Sequence, residues 1–432
     1  MKKNLFVQRS SKPVYPTLDD WIRREAIPFS VDSFETLHAA IDKVIALLDD
    51  MVELLGFGEA LHGGEDILIL RNRLFQRLVE KHGYSAIAIE SSFPRARIVN
   101  DYVNSRGLAS YEAIQEIGFS HGFGQLKANR ELVEWMRQYN ADHSHHVKVQ
   151  FYGFDSPTEM TGADSPRQVL HFVLDYLASI DSDSVKRRER IDSLLGSDFD
   201  WENPAALTDP TKSVGLSHAA TTLRIETEDL ITELQIRRPE LVGRSGKDRY
   251  LEALQYASVV RQLLNYHATM ARNSEDRLAK LLGIRDAMMA DNLAYIVSRE
   301  RVRGKVLVFA HNLHLQRGKV QWQLGPNVIT WWPAGSHLNE MFGPRYVVIG
   351  SGLGVSDAHG INQPEPGTLE ALLTSLPEPG LFIPTHKGQG LPASEIASLP
   401  RRSGSIKNST YSPLTSESIT DFDWLAVLHS TT

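Results

Sequence analysis

The chain has 432 residues, 42% of them apolar and 8% aromatic, enough to bury a sizeable core and incompatible with disorder as the main state. Forty-six basic side chains face fifty-three acidic ones, for a formal net charge of −7. The basic residues are interspersed with acids, so nucleic acid is not an expected partner. The absence of cysteine removes disulfides, thiolate zinc sites, iron–sulfur clusters and a cysteine nucleophile.

No stretch approaches the roughly 18 uninterrupted apolar residues of a membrane span, and Met1-Lys2-Lys3-Asn4-Leu5 lacks a secretory apolar run. A cytoplasmic protein without a membrane partner is the expectation. Ser10–Pro16 reads as an arm before a helix near Leu18–Glu25, and a helical pattern spans Ser33–Met51. The apolar run Val52–Phe57 stops at Gly58-Glu59-Ala60-Leu61-His62-Gly63-Gly64, a strand feeding a glycine-rich turn. Helical spacing returns over Asp66–Lys81 through Ile67, Leu70, Leu74 and Leu78, and His82-Gly83 ends it. Ser85–Ile89 is a short strand ending at Glu90. Pro94 opens a helix that Gly107 closes, another runs near Leu126–Tyr139, and a strand over Val147–Phe154 ends at Asp155.

This alternation predicts an α/β fold with a mostly parallel central sheet flanked by helices. Between about Ser165 and Arg272 the apolar residues sit only on helical faces, which predicts a helical insertion covering the carboxyl edge of the strands. The chain thus divides into residues 1–160, the first part of the α/β core, 161–272, the insertion, and 273–432, the second part. A helix over Glu275–Arg299 leads to the strand Lys305–Ala310, which stops at His311-Asn312-Leu313-His314. Strand-like runs follow at Val328–Trp332 and Arg345–Ile349. Ser351-Gly352-Leu353-Gly354 reads as a turn, and Gly380–Ile383 and Trp424–Leu428 as late edge strands.

Four strands therefore end in groups of catalytic type: Glu59 with His62, Glu90, Asp155, and His311 with His314. In an open parallel sheet these ends share one edge, where loops form the ligand crevice. Glu59-x-x-His62 lets a carboxylate fix the tautomer of an imidazole and support it as a base; the plainer reading is a helix cap beside a surface histidine. Arg71 shares a helical face with Ile67, Leu74 and Leu78, where a buried guanidinium needs a partner, and Glu90 is the expected one. His311-x-x-His314 offers two imidazoles to one pocket. The spacing is compatible with zinc without demanding it. The His-Glu-x-x-His and phosphate-loop patterns are absent.

Gly58-Glu59-Ala60-Leu61-His62-Gly63, Leu70-Arg71, Ala88-Ile89-Glu90, Gly153-Phe154-Asp155, Arg285-Asp286-x-x-Met289-Ala290-x-Asn292 and Ala310-His311-Asn312-x-His314 resemble, in order, the successive blocks of the erythromycin esterase family. The resemblance implies hydrolysis of a macrolide ring ester, and so macrolide resistance, by a directly activated water with neither a covalent serine intermediate nor a metal or other cofactor. It implies His62 as general base, Glu59 as its partner, Arg71 and Glu90 in the polar pocket, and His311 and His314 as further active-site imidazoles. Either His311 or Arg71 is left as the oxyanion donor, and Asp155 as a group orienting a histidine. The chain departs from the family where a Glu and an aromatic pair are usual: it has Asp66, assigned to substrate binding, then Ile67-Leu68. Two alternatives stand beside this reading, a metal-assisted hydrolase of another ester and a non-catalytic ligand-binding or regulatory homologue.

Overall fold

The computed structural model describes residues 13–159, 162–181 and 184–431; Met1–Leu5 and the start of the Ser10–Pro16 arm lie outside the described residues. Eight strands form one sheet: β1 (Ile27–Phe29), β2 (Leu54–Glu59), β3 (Tyr84–Ser92), β4 (Gln150–Asp155), β5 (Lys305–His311), β6 (Tyr346–Ser356), β7 (Gly380–Pro384) and β8 (Trp424–Thr431). Their spatial order is β1-β7-β8-β6-β2-β5-β3-β4. All neighbours from β8 to β4 pair in parallel, whereas β7 runs antiparallel to both β8 and β1.

The side-chain period of two builds a core on each face of this sheet. Leu54, Ala86, Ala88, Val306, Val308 and Val348 belong to one core, and Leu55, Phe57, Ile87, Ile89, Leu307 and Phe309 to the other. The second core takes in the apolar faces of α1 (Glu65–Lys81) and α2 (Lys127–Ala141), which pack on each other. The first takes in α3 (Arg277–Glu300). The expected helical insertion is present, and its longest member, Lys247–Met270, packs on α3 and on the insertion helices Arg167–Ala178 and His218–Ile236. It forms a layer outside α3 on one sheet face. Its approach to the carboxyl edge is through the last turn of Lys247–Met270, where His267 Nε2 lies 2.9 Å from the Asp164 carbonyl just beyond β4.

Several expectations need correction. Ser351-Gly352-Leu353-Gly354 is not a turn but lies inside β6. Its glycines admit neighbours where a Cβ would collide: one on Gly352 would come within 2.6 Å of Leu414. Neither β7 nor β8 is an edge strand, since β8 sits between β7 and β6 and β7 is covered by β1. The edges are β4 and the unforeseen Ile27-Pro28-Phe29, and an edge tolerates a proline that cannot donate to a ladder. Val328–Trp332 does not join the main sheet. Asn327–Trp331 pairs instead with Val320–Leu324 in a separate hairpin. Among the described residues no helix is long and apolar enough to cross a membrane.

Candidate active site

Glu59 and His311 end β2 and β5 and stand opposite each other in the ladder between them. Ile89 of β3 faces Phe309 of β5, so Glu90 follows at the same level, and Ser92 of β3 faces Asp155, the last residue of β4. Four adjacent strands thus deliver Glu59, His311, Glu90 and Asp155 to one edge. Between β2 and β3 the chain crosses over β5, which is inserted only after the helical layer, so the crevice opens where the strand order departs from the chain order.

The turn after β2 is held by two unrelated devices. Gly63 adopts φ +82°, in the left-handed region that favours glycine, and a Cβ on Gly58 would overlap the Asn312 side chain. Gly64, by contrast, has φ −74° and needs no special conformation. His62 is fixed from the far end of the sequence: its N–H donates to Thr410 Oγ1 at 2.9 Å, and Asn408 Nδ2 donates to its carbonyl at 3.1 Å.

Glu90, 2% exposed, is the hub. Its Oε2 accepts the His311 backbone N–H at 2.8 Å, and its Oε1 lies 3.3 Å from His314 Nε2, 3.2 Å from Arg285 Nη2 and 3.9 Å from His62 Nε2. Burial alone would raise its pKa, but His314, His62 and Arg285 together hold it well below the usual carboxylate range. His314 Nδ1 donates to Asp286 Oδ1 at 2.7 Å, and Asp286 also accepts from Trp331 Nε1 at 2.6 Å and Ala334 N at 2.9 Å. Although burial opposes it, Asp286 and Glu90 push His314 up to about 10, so it is an imidazolium donating from both nitrogens.

The other imidazoles are in different states. His311 accepts from Leu313 N at Nδ1 (3.2 Å) and donates to the Thr410 carbonyl from Nε2 (2.9 Å), and burial pulls its pKa down to about 3. It is therefore neutral, with both nitrogens committed to backbone. His62 lies with its ring centroid 5.2 Å from that of His311, and its Nδ1 is 2.7 Å from Glu59 Oε1. Burial acts to lower the pKa of His62, but Glu90 and Glu59 outweigh it and the net shift is upward; burial raises that of Glu59. With its side chain 25% exposed against 3% for those of Glu59 and Glu90, His62 is the accessible member. Its Nε2 is the imidazole nitrogen left to meet a ligand.

The structure does not pair Arg71 with Glu90. The Arg71 guanidinium, 1% exposed, donates to Asn72 Oδ1 at 3.0 and 2.6 Å and lies 4.8 Å above the Phe309 ring. Burial lowers its pKa to about 10, with Glu59 as the leading opposing charge, so it remains a cation. Arg71, Glu59, Glu90, Phe123 and Phe309 line a cavity of about 10 Å³, room for roughly one water, and Glu59 Oε2 is buried with no hydrogen-bond partner.

The cation that Glu90 does receive is Arg285, which sequence reasoning quoted without giving it a role. Asp155 does not orient His62, His311 or His314; its oxygens take Arg285 Nε at 3.2 and 3.1 Å and Nη2 at 2.6 Å. Burial nevertheless holds Asp155 up at about 6. His121 was also missed. Its Nε2 accepts from Arg285 Nη2 at 3.3 Å, its Nδ1 donates to Ser120 Oγ at 2.8 Å, and burial beside Arg285 lowers it to about 4. Its φ of +59° and its ring stacked on Phe123 were the local signs of a special position. Asp66 lies half-buried in the first turn of α1. Trp331 is bound into the Asp286 network, whereas Trp332 is 52% exposed.

This arrangement provides a half-open imidazole backed by a buried carboxylate, beside a cluster of fixed charges. The family model described as erythromycin esterase matches residues 79–431, a span that begins after Glu59, His62 and Arg71. The type II erythromycin esterase of Escherichia coli is 23% identical over 341 residues, which cover 77% of this chain and 76% of that protein. The type I enzyme of Escherichia coli is 22% identical over 314 residues, 71% of each chain. Among solved structures, the open conformation of an erythromycin esterase mutant superposes with a TM-score of 0.63 at 19% identity, covering 94% of this chain and 95% of the other. At that identity the structural likeness is one of fold.

Proposed function

The chain belongs to the erythromycin esterase family, and on that premise we propose that it hydrolyses the lactone ester of macrolide antibiotics with a water activated by His62. The observation that carries this reading is the 2.7 Å contact between His62 Nδ1 and Glu59 Oε1, with Nε2 of the same ring 3.9 Å from Glu90 Oε1 and the His62 side chain 25% exposed. Neutral His62 donates its Nδ1 proton to Glu59 and keeps a lone pair on Nε2. As water oxygen attacks the ester carbonyl, Nε2 takes a proton from it. The imidazolium so formed is stabilised by Glu59 and Glu90. Collapse of the tetrahedral intermediate breaks the ring C–O bond, and the proton on Nε2 passes to the departing alkoxide. The product is a hydroxy acid.

His314 and Arg285 hold Glu90 ionised, so that a charge is ready for the His62 cation before the reaction starts; such preorganisation costs no rearrangement in the transition state. Mass spectrometry of 14-membered and 16-membered macrolides after incubation tests the proposal: each substrate gains one water. His62→Ala lowers turnover by at least about a hundredfold. An unchanged His62→Ala enzyme refutes the base assignment, and activity confined to unrelated esters refutes the macrolide. Activity that disappears with a chelator and returns with metal favours the metal-assisted alternative.

A further inference from the structure

At the opposite end of the sheet from the site just described, a cleft of about 740 Å³ opens between the helix Phe93–Val103, the start of β4, the beginning of Lys247–Met270 and the end of α3. Its volume falls within the range of small-molecule sites. Six cations line it, Arg97, Arg106, Lys148, Arg249, Arg299 and Arg303, against three carboxylates, Asp101, Asp248 and Glu252. A protein with a net charge of −7 thus carries here a local excess of positive charge, and a concave wall concentrates such a field.

The pairing pattern sharpens the point. Asp101 and Glu252 are taken by Arg97 and Arg106, with Arg97 Nε 3.0 Å from Glu252 Oε1 and Arg106 Nη2 3.1 Å from Asp101 Oδ1. Glu300 is occupied by Ser85 and Tyr152 at 2.8 and 2.7 Å and by Arg303 at 3.6 Å. Arg299, Arg249 and Lys148 form no ion pair within 4 Å among the described residues. Arg299 is half-buried and donates to the Tyr295 hydroxyl at 3.0 Å, a neutral group. Arg249 reaches Ser179 Oγ at 3.4 Å, and Lys148 the Asp142 carbonyl at 2.7 Å. A half-buried guanidinium with no ion-pair partner, in a cleft whose cations outnumber its carboxylates, is short of an anion.

We propose that this cleft binds a small phosphorylated ligand, with Arg299 and Arg249 as its phosphate-binding forks. A planar guanidinium meets two phosphate oxygens at once, and Phe93, Tyr256 and Tyr295 on the same walls provide apolar surface for the rest of the molecule. Arg299 stands fourteen residues along α3 from Arg285, which places this site about 21 Å from the ester-hydrolysing one.

Calorimetric titration of the full chain with sodium pyrophosphate at low ionic strength tests the assignment, with citrate as the carboxylate control. Saturable binding of one pyrophosphate is expected, weakened at least about tenfold in Arg299→Gln and in Arg249→Gln, with ester hydrolysis unchanged in both. The exposed Arg249 makes its variant the safeguard should Arg299→Gln unfold. No saturable binding at millimolar pyrophosphate overturns the proposal, as does equal binding by the wild type and both variants. Citrate binding tighter than pyrophosphate overturns the phosphate assignment.

Discussion

Replacing Arg285 by Met isolates the energetic core of the site. The guanidinium is 5% exposed and makes three contacts of 2.6 to 3.2 Å with Asp155, itself wholly buried, and one of 3.2 Å with Glu90. Removing one partner of a buried ion pair leaves an uncompensated charge, at a cost of about 3–5 kcal/mol. Asp155 bears most of it, since Glu90 keeps His314 and the His311 N–H. Burial already holds Asp155 at about 6, above its ordinary 3.8, and Arg285 is the main influence pulling it down; without Arg285 it moves higher. A carboxyl group raised in the folded state binds more protons there than in the unfolded chain, so folding stability falls as pH rises through that window. Arg285→Met is therefore expected to be destabilised more at pH 8 than at pH 5, as read from urea midpoints with an unchanged slope. Adding Asp155→Asn recovers more than half of the loss at pH 8. A loss below about 1 kcal/mol, or one equal at both pH values, refutes the reasoning.

Three further outcomes follow from the same geometry. Because Glu90 and Glu59 raise the His62 pKa against burial, kcat/KM rises with pH along a limb centred above 6.5, and Glu59→Gln moves that limb to lower pH while reducing kcat; a limb that stays in place excludes Glu59 as the partner. Asp286→Asn weakens the support that keeps His314 cationic and alters the Trp331 indole bond, so stopped activity assays and tryptophan emission should change together. Gly58→Ala forces a methyl onto the Asn312 side chain and costs about 1–3 kcal/mol, measured by denaturation; a neutral effect shows that Asn312 yields.

Glu59, Glu90, Asp155 and His311 were legible because each follows an apolar run, and strand ends in a parallel sheet share an edge whatever the strand order. That order was not legible. The run Trp424–Leu428 reads alike at the edge or inside, and nothing local says that it fills the gap between β7 and β6. Arg71 stood out by position on an apolar helical face, yet its partner depended on which helix lies over which strand end, and α3, not α1, brings the guanidinium to Glu90. Arg285-Asp286 was quoted as a block but left without a role, because two adjacent charges in a long helix carry no local sign that tertiary packing buries them. His121 sits in a Ser-His-Gly loop with no periodicity to mark it.

The place of β8 has a consequence for biosynthesis. While a ribosome is still making residues 424–431, β6 and β7 have no common neighbour, and the nascent chain presents two unpaired strand edges of the kind that recruit other chains. Asn408 and Thr410, which hold the His62 backbone and His311, are made just before β8. The candidate site is thus complete only once residues 408–410 have been made, and until β8 docks between them the open edges of β6 and β7 are exposed to pairing with other chains.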